Sequence, residues 1–196
     1  CWENSRLGVG AVIGRSKIDR VLVDAIEESF RHRGQAAFGV AHGGRVIAIN
    51  VAEVALAIHH RVANGKALGE TDDLDAVTAW ALDRWPGAEL WLAGFSFGAY
   101  VALRAAPRWP LAQLVTVAPP VNFFDFRQLP RPDGPWLLVQ GDDDEIVPAA
   151  LGRELFHGYH GPRLLREQPA AGHNSLDFNP AASWWREVTD FWLSRR

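Results

Sequence analysis

A serine framed by glycines, a run of acids and a glycine-histidine pair follow one another in this chain in an order that suits nucleophilic catalysis. Gly94-Phe95-Ser96-Phe97-Gly98 fits the pattern G-x-S-x-G, in which the flanking glycines let the backbone turn so sharply that the serine side chain projects from it. A serine hydroxyl is a poor nucleophile until a base takes its proton, so the pattern requires a histidine and an acid to orient it. Both lie downstream, in Gly141-Asp142-Asp143-Asp144-Glu145-Ile146-Val147-Pro148 and in Ala171-Gly172-His173-Asn174. Residue type alone leaves the acid open among Asp142, Asp143, Asp144 and Glu145, since an acidic loop also serves as a solvated or helix-capping segment. An acyl-transfer site further needs donors for the developing oxyanion. The Phe97 N–H, opening the helix after the serine, is one candidate; Gly43 in His42-Gly43-Gly44 is the other, although Gly-Gly also makes plain turns.

These groups meet only if the chain folds to bring their loops together. Leu90-Trp91-Leu92-Ala93-Gly94 reads as a short buried strand, and the Ala- and Leu-rich stretch from Phe97 to Ala106 as a helix ending before Pro107. Upstream, Thr71-Asp72-Asp73 reads as an N-cap with an acidic first turn, followed by helical spacing of Leu74, Val77, Ala81 and Leu82 up to Pro86-Gly87. Leu114 to Ala118 and Trp136 to Gln140 read as strands, Pro148 to His157 as a helix, Arg163 to Glu167 as a strand, and Ser183 to Leu193 as a final amphipathic helix. Strands alternating with helices predict a parallel sheet, whose carboxyl-end loops gather at one edge. Earlier in the chain, Ile18 to Arg33 has a helical pattern, while Ala36 to Ala41, Val46 to Ile49 and Val54 to His59 read as strands. The gaps between those three are too short for the crossover helices that parallel neighbours need.

Composition excludes several other classes. The chain has 196 residues, 48% hydrophobic and 22% charged, which suits one globular domain with a buried core. A net charge of -3, from 20 Lys and Arg against 23 Asp and Glu, gives no global attraction to nucleic acid or anionic membrane. The single Cys, at position 1, rules out a disulfide scaffold and a Cys-based zinc site. No metal is expected either, because His157 and His160 beside the acidic run match no strong ligand spacing. Gly8-Val9-Gly10-Ala11-Val12-Ile13-Gly14 misplaces the last glycine of a dinucleotide fingerprint, and the tryptophans lack the basic stripe of a nucleic-acid stacking platform. No apolar run spans a membrane and no charged start precedes an apolar leader core, which predicts a cytoplasmic protein. The absence of Met, the first position included, predicts a processed product or a piece of a longer chain.

Gly69-Glu70-Thr71-Asp72-Asp73-Leu74, Leu90 through Ala99, Val117-Ala118-Pro119-Pro120, Gln140-Gly141-Asp142 through Val147-Pro148, and Gly172-His173 together resemble the α/β-hydrolase superfamily. Within it they are similar to the small bacterial hydrolases that lack a lid domain. The resemblance covers residues 69 to 193. It implies an α/β fold with a mostly parallel sheet flanked by helices on both faces, in a single domain over residues 1–196. Residues 69–196 match that pattern well and 1–68 poorly, so the N-terminal part is expected to be reduced or atypical. In the family pattern G-D-x-D-E-x-V the second aspartate is the triad acid, which assigns that role to Asp144 and leaves Asp142 a structural loop residue. Lidless relatives often mark the second oxyanion donor with His-Pro, which this chain lacks, leaving Gly43 as the nearest candidate.

The expected activity is a serine hydrolase acting through Ser96, His173 and Asp144 on a small ester or thioester, with no cofactor. Phe95, Phe123 and Phe124 are expected to line an apolar cleft, because the connection from Pro119 to Pro135 is too short for a separate lid. A serine peptidase on the same fold and a non-catalytic protein binding a ligand or partner through the same cleft are the alternatives.

Overall fold

Leu90, Trp91, Leu92 and Ala93 are apolar without alternation, the pattern of a strand covered on both faces. In the computed structural model they form the middle of a strand, Glu89–Phe95, in which every residue between the two ends is buried. The structure describes residues 10–12, 37–41, 46–51, 68–161, 163–174, 188, 190 and 191. In chain order the strands are β1 (Gly10–Val12), β2 (Ala37–Ala41), β3 (Val46–Val51), β4 (Glu89–Phe95), β5 (Leu111–Val117), β6 (Trp136–Gly141) and β7 (Arg163–Gln168). The α-helices are α1 (Leu68–Arg84), α2 (Phe97–Ala105) and α3 (Ala149–Gly158). The seven strands form one sheet in which spatial order equals chain order.

From β3 to β7 every neighbouring pair is parallel. Among the described strands, β2 and β3 are the one antiparallel pair, as the short gap between them requires, while β1 lies parallel to β2. The fold is thus α/β with a mostly parallel sheet. On one face, Leu90, Leu92, Leu114, Trp136 and Leu138 join Tyr100, Val101 and Leu103 of α2 and Leu155 of α3 in a continuous core. Residues of opposite parity, among them Trp91, Val115, Leu137 and Val139, are equally buried on the other face. Each such leucine contributes roughly 1.5–3 kcal/mol through removal from water.

α2 follows the serine directly and is buried along nearly its whole length, Gly98, Ala99 and Ala102 allowing the helix to lie close to the sheet. Two local expectations need correction. α1 begins at Leu68, so Thr71 lies inside the helix and is fully buried instead of capping it, and Glu70 supplies the first-turn acid. β5 begins at Leu111, ahead of the expected Leu114. The patterns at 18–33 and 54–59 lie outside the described residues, as does most of the expected final helix, of which Val188, Asp190 and Phe191 are helical. Among the described residues, no helix is long and apolar enough to cross a membrane.

Candidate active site

Parallel pairing from β4 to β7 puts the carboxyl ends of these strands at one edge, and the backbone ladder continues past them into the loops. The Ser96 N–H donates to the Val117 carbonyl at 2.8 Å, Ala118 N–H to Val139 at 2.9 Å, and Asp142 N–H to Gln168 at 3.1 Å. Each loop is therefore tied to the next strand. Among the described residues, the non-glycine residues with positive φ are Ser96 (50°), Ala118 (47°) and Ala170 (55°), all at this edge. Such conformations cost of order 1–3 kcal/mol and persist where the surroundings impose them.

At Ser96 the imposition is visible. With φ 50° and ψ -120° the residue sits between β4 and α2, and its side chain makes no capping bond to the helix. A Cβ on Gly94 would lie 2.3 Å from the Gly98 carbonyl oxygen, so the turn closes only with glycine there. The turn leaves Ser96 Oγ free to meet another partner. His173 Nε2 lies 3.0 Å away. On the other side of the ring, Nδ1 is 2.9 Å from Asp144 Oδ2 and 3.1 Å from Oδ1. Because an ionised carboxylate only accepts, Nδ1 of the neutral imidazole donates to it, and Nε2 is left to accept the serine proton. Ser96, Asp144 and His173 are 7%, 7% and 3% exposed, so these bonds form in a largely water-free setting where they are strongest.

Asp144 is held by donors from its own loop. Oδ1 accepts the N–H groups of Ile146 at 3.0 Å and Val147 at 2.7 Å, a local turn of the kind short acidic side chains favour. Oδ2 accepts Gln140 Nε2 at 3.0 Å from the end of β6. The acid loop and the histidine loop touch directly. A Cβ on Gly141 would lie 2.1 Å from the Ala171 carbonyl oxygen, and Asp143 N–H donates to that same oxygen at 3.2 Å. Glu145 Oε2 accepts the His173 backbone N–H at 2.9 Å. That bond is the chief reason the Glu145 carboxyl lies below the usual range.

The structure thus brings Ser96, Asp144 and His173 together out of the residues singled out by the sequence, and leaves Asp142 and Asp143 exposed. The Phe97 N–H belongs to the first turn of α2, whose N–H groups have no acceptor within the helix. Gly43 lies outside the described residues. The strand ends flanking it, Ala41 and Val46, pair with each other, and Val46 pairs with Glu89 at the end of β4 opposite Ser96. Phe95 packs its ring against that of His173, with centroids 5.1 Å apart. Phe124 stacks on Tyr100 at 4.5 Å and leans on Phe97 at 5.5 Å, while Phe123 is 63% exposed. Sequence reasoning missed Gln140, which reads as the last residue of an ordinary strand, and Asn122, whose Nδ2 donates to the Ile146 carbonyl at 2.9 Å and straps the segment after β5 to the acid loop.

No protein-family model matches the chain. An uncharacterized protein of Rickettsia prowazekii is 35% identical over 131 residues, covering 63% of this chain and 52% of that protein. A lidless α/β serine hydrolase of Xanthomonas campestris is similar in structure, with a TM-score of 0.56 and 37% identity over 65% of this chain and 56% of that one. An α/β serine hydrolase homologue from Coxiella burnetii gives a TM-score of 0.60 at 28% identity, over 99% and 81% of the two chains. The chain spans little more than half the length of the first two proteins.

Proposed function

We propose that this chain, similar in structure to α/β serine hydrolases, is itself a serine hydrolase that cleaves a small ester or thioester through Ser96, His173 and Asp144. The observation that carries this reading is the unbroken line of contacts from Ser96 Oγ to His173 Nε2 at 3.0 Å and from His173 Nδ1 to Asp144 at 2.9 Å. His173 Nε2 takes the proton from Ser96 Oγ as the oxygen attacks the acyl carbon. Asp144 keeps the imidazole in the required tautomer and stabilises the imidazolium. The Phe97 N–H faces the oxyanion that forms on the acyl oxygen. The imidazolium then protonates the departing alcohol or thiol as its bond to the acyl carbon breaks, and water repeats the sequence to free the acid and restore Ser96.

The exposed rings and chains at this edge, Phe123 and Ile146 among them, favour an apolar acyl group. Between β5 and β6 the described helical structure is the short turn Phe126–Gln128, so the acyl group we assign is modest. The strained backbone at Ser96 favours an enzyme over a binding protein, since binding alone needs no projecting nucleophile.

Hydrolysis of p-nitrophenyl esters from acetate to octanoate tests the reading. The wild type should turn over the shorter members, and Ser96→Ala should lose about a thousandfold or more in kcat. Equal hydrolysis by both proteins would overturn the assignment of Ser96. Failure on every ester, with Ser96 still reactive toward an acylating probe, would move the substrate to thioesters or peptides.

A further inference from the structure

Adjacent carboxylates of the acid loop reach the same histidine at different atoms. Asp144 meets the imidazole, and Glu145 takes the backbone N–H of His173 at 2.9 Å across 28 positions of sequence. We propose that Glu145 is a positioning residue for His173, fixing the backbone from which the imidazole projects. This inference rests, for its effect on rate, on the hydrolase reading above.

The loop after β7 has little regular structure to hold it, since the turn following Gln168 leads directly into Gly172 and His173. Among the described contacts that hold it, three come from the acid loop: the Asp143 main chain at Ala171, Asp144 at the ring and Glu145 at the His173 N–H. If the third contact were lost, the backbone beneath the imidazole could shift, leaving the ring held by its side-chain contacts to Asp144, Ser96 and Phe95 alone. A displacement of about 1 Å at a reacting group costs on the order of a hundredfold in rate. An exposed carboxylate in such a loop is ordinarily free in solvent, yet this one is held in its charged form mainly by the histidine N–H. Among the described residues, the charged groups in contact with His173 are Asp144 and Glu145. Phe95 and Ser96, on the nucleophile side, carry no charge, and Asp142 and Asp143 are exposed on the same acid loop.

Glu145→Gln and Glu145→Ala separate the hydrogen bond from the charge, because the glutamine side-chain oxygen still accepts the N–H but carries no charge, whereas alanine removes both. Glu145 is exposed, and thermal unfolding monitors the fold of each variant. Amide hydrogen exchange at His173, followed by NMR, should accelerate about tenfold or more in Glu145→Ala and stay near wild type in Glu145→Gln. Labelling by a fluorophosphonate should slow about tenfold in Glu145→Ala and recover in Glu145→Gln. Unchanged exchange in Glu145→Ala, or equal loss in both variants, would overturn the positioning role. A wild type that takes no label while its exchange responds as expected would strike the hydrolase reading alone and support the anchor.

Discussion

Gln140 Nε2 donates to Asp144 Oδ2 at 3.0 Å, so the last side chain of β6 helps hold the carboxylate that meets His173. Gln140 is fully buried, and the same amide lies 3.2 Å from the Val147 carbonyl on the far side of the loop. Replacing it by leucine keeps the volume but leaves two acceptors without that donor. Gln140→Leu is expected to lose about 1–3 kcal/mol of stability, read by denaturant unfolding. It should also lose about tenfold in kcat with little change in KM, because the contact orients the acid and touches no substrate. A rise in KM at constant kcat would show that Gln140 serves binding instead.

Gly141 allows the acid loop and the histidine loop to lie against each other, since a Cβ there would be 2.1 Å from the Ala171 oxygen. Gly141→Ala must push Ala171, and with it His173, away from Asp144. The expected outcome is a folded protein whose kcat falls about a hundredfold. Circular dichroism and ester hydrolysis together check this, and wild-type activity in Gly141→Ala would mean that the loops do not need this close approach.

The Tyr159 hydroxyl is buried with no hydrogen-bond partner among the described residues, and its ring packs edge-on to Trp136 at 5.0 Å. Tyr159→Phe keeps the packing and removes the unpaired group, so stability should rise by roughly 0.5–1 kcal/mol. Burial also pushes the Tyr159 phenol up, with Arg131 pulling weakly the other way. The folded protein then keeps a proton that the unfolded chain releases near pH 10, and stability falls as pH rises from there through the folded value. Tyr159→Phe should lack this part of the alkaline loss. A variant with the wild-type alkaline limb would assign that limb to other groups.

The mouth of the site offers a test of substrate class. Phe123 is 63% exposed, next to Asn122, which is bonded to the Ile146 carbonyl. An exposed ring contributes little to folding, so Phe123→Ser should leave stability within about 0.5 kcal/mol. It should raise KM more for p-nitrophenyl octanoate than for the acetate. Equal effects on the two esters would remove Phe123 from the acyl path.

Much of the site was legible in the sequence where backbone geometry dictates residue type. The G-x-S-x-G turn is one case, since Gly94 meets the Gly98 oxygen at a distance that no side chain tolerates. The meeting of Ser96 with His173 is another, because parallel strands send their loops to one edge whatever those loops contain. The acid was not legible from composition. Asp142, Asp143, Asp144 and Glu145 are alike in type, and Asp144 is set apart by the Ile146 and Val147 N–H groups and Gln140, contacts that exist only once the loop has folded. Thr71 misled because a good capping residue also fits a buried helical position, and the helix starts a turn earlier. For Glu145 the sequence held no signal beyond its charge. The partner it holds is the His173 backbone N–H, a group that every residue except proline carries.

The central claim is that Ser96 is a nucleophile activated by His173, and mass spectrometry after treatment with a fluorophosphonate tests it most directly. The wild type should gain one adduct on the peptide carrying Ser96, His173→Ala should gain it about a hundredfold or more slowly, and Ser96→Ala should gain none. Equal labelling of wild type and Ser96→Ala, or an adduct located on another residue, would contradict it.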